Sequence, residues 1–159
     1  MLPRLISTTC WPRSSVGERD RARGDVKVFV DSNIPMYVAG SEHPNRAPAS
    51  RFLEGAVDGD FELCTSTEVL QEILYRYASL ERLDLAEQVY DFFVALIPEI
   101  FEVTLADTDL AKGVLVTTAG ISVRDAVHAA VMMNRGVESI ATFDRGFDRI
   151  GSIRRLELA

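Results

Sequence analysis

The strongest constraint on this chain is a rhythm: from position 26 onward, short apolar runs alternate with stretches of helical periodicity, the pattern of parallel βα units. The runs lie at 26–30, 61–64, 100–104, 138–142 and 153–158, with helices expected at 34–39, 46–57, 67–79, 83–97, 107–119 and 122–135. Boundary signals agree with this division. Pro98 stops one helix, Gly120 follows another, and Gly136 stands where a C-terminal cap residue would. The first run, VKVFV, is almost wholly apolar, as a central strand covered on both faces must be. The expected fold is therefore α/β, a three-layer domain over 26–159 whose central five-stranded, mainly parallel sheet carries helices on both faces.

A length of 159 residues, 47% of them hydrophobic, suffices for one packed domain and excludes a disordered or fibrous chain. No apolar stretch approaches the roughly 20 residues of a membrane span, so no membrane partner is expected. Cys10 and Cys64 stand alone without a metal-thiolate or disulfide pattern, which suits a reducing cytoplasm. Residues 1–25 lack periodicity and hold five arginines against three acids; they read as a disordered extension or as the product of a misplaced start. The remaining 134 residues hold 12 bases and 21 acids, a net charge of −9.

The placement of those acids matters more than their number. In an open parallel sheet, residues just past the carboxyl ends of the strands gather along one edge, where ligands bind. Asp31 directly follows the first run, in VFVDSN, and Asp144 follows the fourth, in IATFDRGFD. Asp125 falls in the first turn of the last helix, and Glu72 in the helix that leaves the second strand. Four carboxylates from separate segments repel one another unless a cation neutralises them. Oxygen donors without cysteine or histidine at ligand spacing point to Mg²⁺ or Mn²⁺ rather than zinc. Such ions activate water against a phosphodiester.

Other readings of the same residues remain open at this level. Asp31-Ser32-Asn33 would also serve as a turn and helix cap. Glu72, set about 140° from the apolar stripe of its helix and four positions before Arg76, would also make a surface ion pair. Asp125 would also be the capping partner of Ser122, and Asp144 and Asp148 would also be loop acids beside Arg145 and Arg149. His128 reads as a packed or hydrogen-bonded histidine rather than a ligand. Met132-Met133 and Phe92-Phe93 read as core or partner-facing surface.

Taken together, VFVDSN, TSTEVLQEILYRY, SVRDAVHAA and ATFDRGFDRI resemble the PIN-domain ribonucleases, in particular the VapC toxins of bacterial toxin–antitoxin modules. The likeness spans about 26–158. It implies an acidic metal site of Asp31, Glu72, Asp125 and Asp144, with Asp148 as an accessory acid and Asn33 and Thr142 as orienting groups. It further implies cleavage of RNA with Mg²⁺ or Mn²⁺, a homodimer, and inhibition by a small VapB-like antitoxin. Arg145 and Arg149 are the expected RNA phosphate contacts. Two alternatives stand beside this one: a PIN-type nuclease of RNA or DNA processing without a toxin role, and a metal-binding regulatory α/β domain. The second lacks a suitably placed lysine, since Lys27 and Lys112 are the only two in the chain.

Overall fold

The structure is a computed structural model that describes residues 26–159; the expectations for residues 1–25 lie outside the described residues. Five strands form one all-parallel sheet: β1 (Lys27–Val30), β2 (Glu62–Ser66), β3 (Glu99–Phe101), β4 (Ser139–Ala141) and β5 (Arg154–Arg155), in the order β3-β2-β1-β4-β5. Between them run α1 (Asn33–Ala39), α2 (Arg46–Val57), α3 (Thr67–Ser79), α4 (Leu83–Leu96), α5 (Leu105–Thr117) and α6 (Val123–Asn134). A 3-10 turn at Arg145–Arg149, absent from the sequence reading, joins β4 to β5.

The strand order places the site. The chain adds β2 and β3 on one side of β1, then returns to add β4 and β5 on the other. The reversal falls between β1 and β4, and the crevice past the carboxyl ends of two such strands is where open α/β sheets bind ligands. Register brings Val30 opposite Ala141, and the Asp31 amide donates to the Ala141 carbonyl at 3.1 Å, extending the pairing by one residue. Asp31 and Thr142 thereby become neighbours although 111 positions apart.

Burial explains why the central strand is apolar throughout. Val28, Phe29 and Val30 have no exposed surface, and because successive strand side chains point to opposite faces, both faces of β1 are covered. Phe93 of α4, Ile73 of α3, Met132 of α6 and Phe147 of the 3-10 turn complete the core. Met132 and Phe93 are thus core, whereas Met133 stays exposed and Phe92 half-buried. The helix α6 is unusual in burying Ala126, His128, Ala129, Ala130, Val131 and Met132 together. Its run of alanines lets it lie close against its neighbours.

The start of α5 departs from the expected 107. Thr104 caps it, with its hydroxyl accepting from the Asp107 amide while the Asp107 carboxylate accepts from the Thr104 amide, a reciprocal box that starts the helix two residues earlier. The edge strands are shorter than expected, β5 most of all. No helix of the described residues is long and apolar enough to cross a membrane.

Candidate metal centre

Asp31 leaves the end of β1 and is held from three directions. Its Oδ1 accepts from the Ser32 amide at 2.6 Å, and its Oδ2 accepts from Asn33 Nδ2 at 2.7 Å and from the Thr142 hydroxyl at 2.5 Å. Asn33 Nδ2 also donates to Thr142 Oγ1 at 2.8 Å, and that oxygen accepts from the Asp144 amide at 3.0 Å. Thr142 therefore links the carboxylate after β1 to the loop after β4. The capping reading of Asp31-Ser32-Asn33 fails: Ser32 precedes α1 but makes no side-chain cap bond. Its hydroxyl instead donates to Glu72 Oε2 at 2.7 Å.

Glu72 is likewise no surface residue. It is 7% exposed and forms no ion pair with Arg76; its Oε1 faces His128 Nε2 at 3.0 Å, and Arg124 Nη1 lies 3.8 Å from Oε2. The helical-wheel argument misplaced it because α3 is met on that side by α6, a contact between residues 56 positions apart. Arg124 and His128, one helical turn apart, reach the same carboxylate. That spacing beside Asp125 was the available sequence signal for Arg124.

Asp125 is the capping partner of Ser122. The Ser122 hydroxyl accepts from its amide at 3.1 Å and donates to its Oδ2 at 2.7 Å. The same carboxylate lies on the Asp144 side of the site, and Gly146 is wedged between the two. A Cβ built on Gly146 would stand 3.0 Å from Asp144 Oδ1 and 3.7 Å from Asp125 Oδ2. Only a glycine leaves that space free, a role that sequence reasoning did not assign it.

Electrostatics agree with a shared site. Burial pushes the Asp31 carboxyl above its usual range, with the Glu72 charge adding to it and His128 and the Thr142 bond opposing. Asp125 is also raised, first by burial, then by the charges of Asp144 and Glu72. Burial alone would raise Glu72 too, but the His128 and Ser32 hydrogen bonds and the Arg124 charge bring it below the ordinary value. Asp31, buried, and Asp125, half-buried, are thus both shifted toward their neutral forms, the direction in which clustered carboxylates move one another.

Donor atoms of Asp31, Glu72 and His128 lie within 4.8 Å of one another, close enough to share an ion. The histidine is better suited to holding Glu72. Its Nδ1 is buried without a hydrogen-bond partner among the described residues, whereas a ligating histidine donates its other ring N–H to an acceptor. Asp31 and Glu72 offer the carboxylate oxygens that a hard divalent cation takes.

The remaining expected residues are placed elsewhere. Asp148 forms a two-bond pair with Arg155 of β5, at 2.8 and 3.0 Å, which holds its carboxyl below the usual range. Arg149 Nη1 donates to the Gly120 carbonyl at 2.8 Å and so ties the loop ahead of α6 to the 3-10 turn. Neither bonds to the four acids, and Arg145 is exposed beside Asp144.

The sequence profile of the PIN domain matches residues 28–153. The chain belongs to the PIN-domain family. Among its relatives in that family, ribonuclease VapC13 of Mycobacterium tuberculosis is 39% identical over 129 residues, covering 81% of this chain and 98% of the relative. Ribonuclease VapC23 of the same species is 38% identical over 117 residues, covering 74% and 92%. These identities set this PIN domain with the VapC proteins. Its fold is similar to that of VapC20 of M. tuberculosis, a toxin that cleaves the sarcin-ricin loop, with a TM-score of 0.67 at 21% identity over 78% of this chain and 95% of the other. It is also similar to a chain of VapBC2 from Rickettsia felis bound to a promoter DNA fragment, with a TM-score of 0.66 at 18% identity over 82% and 98%.

Proposed function

We propose that this PIN domain is a metal-dependent endoribonuclease that hydrolyses RNA phosphodiester bonds, and that it is the toxin of a VapBC-type toxin–antitoxin pair. The observation that carries the reading is the close approach of Asp31 and Glu72 at the β1/β4 switch point, with Asp125 raised by burial and by the charges of Asp144 and Glu72. The ribonuclease relatives support it. Asp31 and Asp125 are the direct ligands of Mg²⁺, for which Mn²⁺ substitutes, and Asp144 and Glu72 complete the site or hold a second ion. When bound, the ion supplies Lewis acidity toward the phosphate and a water nucleophile at neutral pH.

The protein's own groups do the positioning. Thr142 and Asn33 fix the rotamer of Asp31, and Ser32 and His128 fix that of Glu72. Arg124 and Arg145, exposed at the rim, meet RNA phosphates; Arg149 and Asp148 instead anchor the turn that carries Asp144. The VapBC-type assignment adds a small VapB-like antitoxin, a homodimer and a cytoplasmic location.

RNA cleavage by Asp31→Asn and Asp125→Asn variants, assayed with Mg²⁺, tests the site. Both should lose cleavage while keeping the wild-type far-UV circular dichroism, and a chelator should silence the parent in the same way. Full activity in either variant refutes the assignment. Growth arrest on expression, relieved by the product of a short adjacent reading frame, tests the toxin role.

A further inference from the structure

Beside the acids, α1 and the ends of α3 and α4 enclose a groove of about 510 Å³ that starts at Asn33, the residue bonded to both Asp31 and Thr142. That size lies within the usual range of small-ligand sites. Aromatic rings lead into it from the acidic centre. Phe143, next to Asp144, meets Tyr37 edge-on at 5.2 Å between centroids, and Tyr37 stacks on His43 at 4.5 Å and 26°. Charge distinguishes the groove from its surroundings. The described domain carries a net −9, yet none of the groove's lining residues is Asp or Glu, while Arg76, Arg82 and His43 all are among them. Arg82 is paired with Asp84, which lies outside the lining; Arg76 is exposed and makes no ion pair among the described residues.

We propose that this groove is the track of the RNA strand leading away from the scissile phosphate, with an unpaired base stacked on the Tyr37–His43 rings and a phosphate met by Arg76. The inference rests on the nuclease reading above and deepens it by naming the residues that hold the strand beside the acids. A polyanion with planar bases matches both features at once: rings offer stacking that tolerates any base, and the unpaired Arg76 receives a phosphate. A duplex holds its bases within the stack and so cannot place one on these rings.

The test uses the full chain carrying Asp31→Asn, so that RNA survives, and a fluorescein-labelled single-stranded RNA 12-mer in Mg²⁺, read by fluorescence anisotropy. His43→Ala is expected to weaken binding about tenfold, the loss of one stacked base. Arg76→Gln is expected to weaken it and to flatten the plot of log K against log salt by about 0.7, the contribution of one phosphate contact on a single strand. In the otherwise wild-type chain, His43→Ala should raise KM for RNA cleavage and leave kcat in place. If the parent binds and cleaves RNA while both groove variants match it in affinity and salt slope, the groove belongs to a protein segment and the proposal is overturned, the nuclease reading standing. If the parent neither binds nor cleaves RNA, both fall together.

Discussion

Asp107 offers the sharpest test of how the scaffold holds α6, and with it Asp125, in place. It has no exposed surface, yet its carboxylate accepts from the Thr104 amide and hydroxyl at 2.8 Å each, from Asn134 Nδ2 at 2.7 Å and from Arg135 Nη1 at 3.0 Å. Burial alone would raise its pKa, but these bonds outweigh burial and hold it at about 2, against an ordinary 3.8. At about 1.4 kcal/mol per unit, the difference corresponds to about 2 kcal/mol of stability from the charged form. The folded pKa is depressed, so this contribution is complete above the unfolded value and is lost as pH falls through the folded one. Replacing Asp107 with Asn imitates the protonated state. Urea unfolding followed by circular dichroism should show Asp107→Asn less stable by about 2 kcal/mol at pH 7, by about half of that at pH 3, and by almost nothing at pH 2. A variant equal to the parent at pH 7, or a deficit that stays constant down to pH 2, would refute the reasoning.

Three further outcomes follow from the same geometry. Thr142→Val removes the hydroxyl that lowers the Asp31 pKa, so the acidic limb of the pH–rate profile should move to higher pH, with a stability loss of about 1–3 kcal/mol from the buried polar groups left unpaired. Gly146→Ala places a methyl 3.0 Å from Asp144 Oδ1, and Mn²⁺ affinity by calorimetry should fall roughly 10-fold while the fold persists. Gly120 has φ +76° and sits where Arg149 bonds its carbonyl; Gly120→Ala should lower Tm through strain worth about 1–2 kcal/mol.

Local pattern revealed most of the frame and about half of the site. The helices α2 and α3 run from 46 to 57 and from 67 to 79 as their periodicity predicts, because each buries one stripe of its surface. Asp31 and Asp144 were legible since each directly follows an apolar strand and a parallel sheet aligns strand ends. Glu72 was ambiguous for the opposite reason. Its burial is set by α6, and no periodicity within α3 records what packs on its polar side. Asp148 misled because its partner, Arg155, belongs to a two-residue edge strand whose existence depends on pairing with β4. Pairings set by tertiary approach leave no local trace.

The Val30–Ala141 register has a consequence for the chain's synthesis. Asp31 emerges from the ribosome more than a hundred residues before Thr142 and Asp144, which fix its carboxylate and supply the fourth acid. Domains fold as units during synthesis, and β1 has its β4 neighbour only once Ser139–Ala141 have emerged. A chain truncated before β4 would carry three of the four acids and no competent centre. For an enzyme that attacks RNA, last-moment assembly means that the translating messenger and ribosome face an inert polypeptide until its synthesis is almost complete.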